Sequence, residues 1–168
     1  MYKVAIENIY KQNPAGIVRP STMVLSRQNL PNQPGSSIEK TSKGGYVIYG
    51  NEDETPDAIV IATGSEVPIA VDGAKLVTDK KVHVVSMPIW EIFEEQPAEY
   101  KNKVLPPSVK ARVSVEAGST FGWQKYVGDA GVCIGVDDWG ASAPAGVIYE
   151  KLGITPEGVA AAVRKVAA

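Results

Sequence analysis

The chain has 168 residues, 44% of them hydrophobic, and 17 basic against 19 acidic side chains leave a formal charge of -2. That length suits one core at roughly 100 to 200 residues per domain. The near-balanced charge argues against nucleic acid or an anionic membrane surface as a partner. No stretch approaches the roughly 18 uninterrupted apolar residues of a membrane span, and no basic segment followed by an apolar core opens the chain, so a soluble protein is expected. The lone Cys133 lies in an apolar run and reads as a buried structural thiol.

Taken in order, residues 2–8 have the pattern of a helix end, with Val4, Ala5 and Ile9 on one side. A loop rich in Pro, Asn and Gly follows, and residues 22–26 then read as a short apolar strand with Arg27 at its end. Residues 31–43 carry Pro, Asn, Gly, Ser and charges without a period of 2 or 3.6, which makes them a connector and a domain boundary. Tyr46 to Tyr49 form an edge strand or half of a hairpin.

The strongest unit comes next. Ala58 to Ala62 are five consecutive apolar residues, as in a strand covered on both faces. Thr63, Gly64 and Ser65 form a tight turn, with Ser65 as the expected N-cap and Glu66 in the first turn of a helix. Val67, Ala70, Val71, Ala74 and Val77 recur at helical spacing and give that helix its buried stripe.

Further strands are expected over residues 81–87, 111–117 and 132–136, separated by short helical pieces at 91–100 and up to Tyr126. A short helix over 147–152 precedes a terminal helix capped by Thr155, with Pro156 in its first position and Glu157 in its first turn. Strands alternating with helices across short turns predict an α/β fold: three layers, α/β/α, around a mostly parallel twisted sheet with right-handed crossovers.

Several residues could carry chemistry. The Gly64-Ser65 turn, after a buried strand and before a helix, has the generic geometry for holding a phosphate, but no Gly-x-Gly-x-x-Gly or Gly-Lys-Ser/Thr pattern accompanies it. A tight turn needing a small residue is the plainer reading. His83, the only histidine, sits mid-strand without neighbouring metal ligands, as a strand residue facing a partner or solvent would. Glu116, Asp137 and Asp138 follow strands at the carboxyl edge, where open α/β sheets bind ligands. Phe121, Trp123, Tyr126 and Trp139 lie near the same edge and read as core or subunit contacts.

Three stretches read as words. They are Leu25-Ser26-Arg27-Gln28-Asn29-Leu30-Pro31; Ala62-Thr63-Gly64-Ser65-Glu66-Val67 with Val85-Ser86-Met87-Pro88; and the run from Val115 to Gly128, containing Phe121-Gly122-Trp123-Gln124-Lys125-Tyr126, with Gly140-Ala141-Ser142-Ala143-Pro144-Ala145. In this order they resemble transketolase, most closely its plant and cyanobacterial branch. The pyruvate dehydrogenase β subunit shares the domain type, but the Phe-Gly-Trp-Gln-Lys-Tyr-Val-Gly word favours transketolase.

The resemblance implies a C-terminal part of that enzyme: residues 1–31 as the tail of the pyrimidine-binding domain, 32–44 as a linker and 45–168 as the C-terminal domain. It implies a parent reaction, transfer of a two-carbon ketol unit between sugar phosphates with thiamine diphosphate and magnesium. This chain contains neither the Gly-Asp-Gly and Asn words that hold the diphosphate and metal nor histidines beyond His83. No cofactor, catalytic residue or metal site is therefore expected in it, and it is expected to be inactive without the missing regions.

One family site maps here. Arg27 matches the arginine that binds the phosphate of the sugar substrate, a task suited to a planar, permanently charged, bidentate donor. The span from Ile9 to Val18 is longer than the family's pattern and bears on how Arg27 is presented. Expected partners are the remaining transketolase domains or a second copy, in the cytoplasm or, for a photosynthetic eukaryote, the plastid stroma. The alternative from a different class is a stand-alone small-ligand-binding or interaction module built on the same fold.

Overall fold

The computed structural model describes residues 2–10 and 20–168. The expected loop between the first helix and Arg19, and most of the Ile9 to Val18 span, lie outside the described residues. Five strands, β1 (Tyr46–Tyr49), β2 (Ala58–Ala62), β3 (Val82–Ser86), β4 (Arg112–Val115) and β5 (Val132–Ile134), form one sheet in the order β1-β3-β2-β4-β5. Pairings β2–β3, β2–β4 and β4–β5 are parallel, and β1 runs antiparallel along the β3 edge. The three-layer α/β reading holds, and β1 is an edge strand on β3 rather than a hairpin partner of β2.

Burial on both faces explains the unbroken apolar run of β2. Ala58, Val60 and Ala62 join a core with Val84, Val113 and Val115, covered by α3 (Glu66–Lys75) and α8 (Pro156–Val166). Ile59 and Ile61 point the other way, into a core with Val85, Phe93 of α4 (Trp90–Glu94), Val104 of α5 (Ala98–Val104) and Tyr126 of α6 (Gln124–Val127). Strand side chains alternate between faces, so a strand packed on both sides needs apolar residues at every position. On α3 the predicted stripe of Val67, Ala70, Val71 and Ala74 is buried, as is Val77 just beyond it. Thr155 caps α8, accepting from the Gly158 amide at 3.0 Å.

Other expectations need correction. Residues 22–26 form no strand: they have no sheet partner, and Val24 and Leu25 are 90% and 61% exposed. A short apolar run marks the ability to enter a ladder, but a ladder needs a neighbour. Within the stretch read as a connector, Ser37 caps α2 (Ile38–Thr41), accepting from the Lys40 amide at 3.1 Å. Four residues are too few to display a helical period. At the N-terminus, α1 (Tyr2–Tyr10) agrees with the helix reading, and Val4 is buried. The last helix before α8, α7 (Ala145–Leu152), also lies where expected. Cys133 is half-buried rather than buried, a free thiol packed against the α4–α6 side of the sheet.

Two polar groups, half-buried Arg112 and buried His83, have structural duties that the sequence did not announce. Arg112, at the start of β4, donates to the carbonyls of Val109 (2.9 Å), Tyr126 (2.7 Å), Leu105 (3.2 Å) and Pro106 (2.8 Å), tying the turn before β4 and α6 to the sheet. His83 is buried rather than facing solvent, and it lies so close to Gly50 that a β-carbon there would stand 2.4 Å from its ring. Gly50 also has φ +106°, so glycine is required on both counts.

Two outcomes follow. Arg112→Ala, leaving four carbonyls without their donor, is expected to lower the urea-unfolding free energy by about 2–4 kcal/mol, and Arg112→Lys to restore only part because an ammonium lacks the planar fork. Burial holds the His83 imidazole below its ordinary range. The unfolded chain therefore binds the proton first, and stability present at neutral pH is lost as pH falls through about 6.5 toward the depressed folded value. Melting temperatures measured from about pH 7.5 to 5.5 should fall less steeply for His83→Gln than for the parent chain.

Candidate functional site

The chain leaves β2 for β3 on one side and later reaches β4 on the other, so the strand order reverses direction around the carboxyl end of β2. Connections diverge at such a switch point and open a crevice. A cleft of about 700 Å³ lies there, walled by Thr63 to Val67 after β2, Ser86 to Pro88 around the end of β3, Glu116 and Ala117 after β4, and the arm residues Leu25 and Ser26. Its volume falls within the usual range for small-molecule sites, roughly 300–1,000 Å³.

Its electrostatics run against a phosphate. Among the described residues neither lysine nor arginine lines the cleft, whereas Glu66 and Glu116 do. Gly64 makes the turn at φ +55°. Ser65 does not cap α3 with its side chain: its backbone is already helical, and its hydroxyl donates to Glu66 Oε1 at 2.7 Å. Glu66, only 4% exposed, brings the chain's own carboxylate to the α3 N-terminus, where the dipole favours an anion. The Tyr149 hydroxyl donates to the same Oε1 at 2.8 Å. Burial first, and then the Glu66 carboxylate, push the Tyr149 hydroxyl above its ordinary range, so it stays protonated as the donor.

The other strand-end acids are committed to the fold. Glu116 accepts from the Trp123 indole N–H at 2.7 Å, and Trp123 is 1% exposed. Asp137 accepts from the Thr120 hydroxyl (2.7 Å) and amide (2.8 Å) and from the Ser119 hydroxyl (3.3 Å), bonds that hold its carboxyl below the ordinary range. Asp138 accepts from the Trp139 amide at 2.7 Å. Trp123 and Tyr126 pack edge-on around Trp90, with ring centroids 4.6 and 5.0 Å from it, in the core. Phe121 and Trp139 are 91% and 95% exposed on the loops that Asp137 ties together.

Arg27 sits on an exposed bend next to Ser26 and does not itself line the cleft. Among the described residues its guanidinium enters no ion pair. No group of three or more His, Cys, Asp or Glu side chains that could hold a metal occurs among the described residues. With two carboxylates and no cation among the described residues of the cleft, those residues do not fit a magnesium–diphosphate group.

The family model for the transketolase-like C-terminal domain matches residues 44–155. The chain belongs to the transketolase family. It is 54% identical over 167 residues to a chloroplastic transketolase of Craterostigma plantagineum, covering 98% of this chain and 31% of that protein. A transketolase of Nostoc sp. is 47% identical, over 95% of this chain and 23% of its own length. Among solved structures, the transketolase from Leishmania mexicana superposes with a TM-score of 0.83 at 45% identity, covering 91% of this chain and 22% of that one. The chain thus spans less than a third of the length of these relatives, and it resembles the plant and cyanobacterial members, as its motifs suggested.

The Glu116–Trp123 bond gives a direct check. Glu116→Ala should cost about 1–3 kcal/mol in thermal or urea unfolding by leaving a buried indole N–H unpaired, while Glu116→Gln, which keeps an acceptor oxygen, should cost much less. Equal losses from both would mean that the charge, rather than the hydrogen bond, matters there.

Proposed function

We propose that this chain acts as the C-terminal part of a transketolase and does not catalyse by itself. In the assembled enzyme the reaction is two-carbon ketol transfer between sugar phosphates, with thiamine diphosphate and a divalent metal supplied from outside this chain. The observation that carries this reading is the chemistry of the strand-end cleft: acids and hydroxyls are part of its wall, with no cation among the described residues to hold a diphosphate. The relatives extend well beyond the matched region, which leaves ample chain for the cofactor site elsewhere.

On this reading residues 1–31 end the pyrimidine-binding domain, 32–44 link, and 45–168 form the C-terminal domain. Arg27 contributes a phosphate-binding cation for the sugar substrate; its exposure and its freedom from ion pairs among the described residues support that role. Partners are the remaining transketolase domains or a second copy. The chloroplastic relatives support a plastid setting and a role in the Calvin cycle. Among the described residues no helix is long and apolar enough to cross a membrane. The cleft itself favours a second reading, a module that binds a small polar ligand without phosphate groups.

Isothermal titration of the chain with thiamine diphosphate and magnesium separates these possibilities from an autonomous enzyme. No heat of binding is expected. Stoichiometric binding would overturn the proposal and place a cofactor site within these residues.

A further inference from the structure

We propose that the cleft at the carboxyl end of β2 binds a small organic diammonium, with Glu66 and Glu116 as its two carboxylate partners. The proposal rests on the reading of the cleft as a site for a small polar ligand without phosphate groups, and it adds the charge and chemical class of that ligand.

Charge sets the class. Both carboxylates stand in the wall of one cleft of about 700 Å³, and among the described residues no lysine or arginine joins them there. Glu66 is 4% exposed, and a carboxylate so far from water is costly unless its charge is matched. Its side-chain bonds all go to Oε1, from the hydroxyls of Ser65 at 2.7 Å and Tyr149 at 2.8 Å, while Glu116 spends Oε2 on the Trp123 indole. Among the described residues Glu66 Oε2 and Glu116 Oε1 accept nothing. An ammonium group carries three donors and no acceptor, so it suits such oxygens, whereas an anionic ligand would be repelled.

A second feature, independent of the acids, also asks for a ligand. Ser86, the last residue of β3, stands in the cleft wall at 6% exposure, and among the described residues its hydroxyl has no hydrogen-bond partner. Buried hydroxyls ordinarily have one. In the wall of an open cleft this hydroxyl is left for a bound molecule, and its oxygen accepts from an ammonium. Trp90 adds a half-buried indole ring to the same wall, a surface that attracts cations. Leu25 and Ile48 supply apolar surface for the methylenes between two charges.

The test is titration of the 168-residue chain with putrescine at low salt, followed at the backbone amide signals of Gly64, Ser65 and Ala117. Saturable shifts at these amides are expected, with a dissociation constant of about 1 mM or tighter that weakens as sodium chloride is added. Glu66→Gln and Glu116→Gln keep an acceptor oxygen but lose a charge, and each should weaken binding about tenfold. Ser86→Ala should weaken it about threefold. Asp72→Asn removes an exposed carboxylate that pairs with Lys75 on α3, and it should leave the affinity unchanged. The neutral diol of the same length should bind at least about tenfold more weakly than the diamine. Equal binding of diol and diamine overturns the ammonium assignment and leaves the polar-ligand reading standing. Absence of saturable shifts with either overturns both. Weakening by Asp72→Asn as large as that by Glu66→Gln marks diffuse surface attraction and overturns the site. The comparison of diol and diamine needs only the parent chain, so it decides the matter even if a variant fails to fold.

Discussion

The structure depends on one strand being closed on every side. Each residue of β2 from Ala58 to Ala62 is fully buried, its edges are paired with β3 and β4, and its two faces feed separate apolar cores. Water is excluded from five consecutive peptide units, which forces every backbone polar group into the ladder and every side chain to be apolar. Because β2 is the pivot, the chain must leave it toward β3 and return past it to β4. The crevice at its carboxyl end is thus a consequence of the packing, present before any ligand is considered.

What fills that crevice follows from a second constraint. A helix N-terminus next to a buried strand presents unpaired amides, and such a site commonly takes an anion. Here the sequence places its own anion there. Glu66 is buried at the start of α3, stabilised by two hydroxyl donors, and the next carboxylate, Glu116, is committed to Trp123. A phosphate approaching this edge would meet two acids and, among the described residues, no cation. Arg27, one residue past its wall, is a basic group on the adjoining arm.

Legibility in the sequence followed the range of the interactions. The buried run of β2, the stripe of α3 and the cap of α8 are local patterns, and the structure has them where periodicity and cap chemistry placed them. Strand 22–26 failed because its apolar run has no neighbour to pair with, and α2 was missed because four residues show no period. Ser65 looked like a cap from its position, but the positive-φ turn at Gly64 brings the chain into helical geometry one residue early and redirects the hydroxyl to Glu66. The Tyr149–Glu66 bond spans 83 positions, and Arg112 reaches three carbonyls in the turn before β4 and one in α6; no hydrophobic period or cap pattern signals either. The only sequence signals were a carboxylate in a stretch that had to be buried and an arginine opening a core strand.

The distribution of exposed apolar side chains completes the argument. Both faces of the sheet are covered by the chain's own helices, so the core asks for nothing from outside. Val24 and Leu25 on the arm, Phe121 after β4 and Trp139 after β5 are nevertheless more than half exposed. Isolated exposed apolar residues are common, but two nearly bare aromatic rings on loops pinned by Asp137 cost solvation without serving the core. The exposed rings follow strands at the carboxyl edge, and the arm residues lie where the cleft opens. A domain that closes its own core has no packing need of its own for large side chains left bare at that edge.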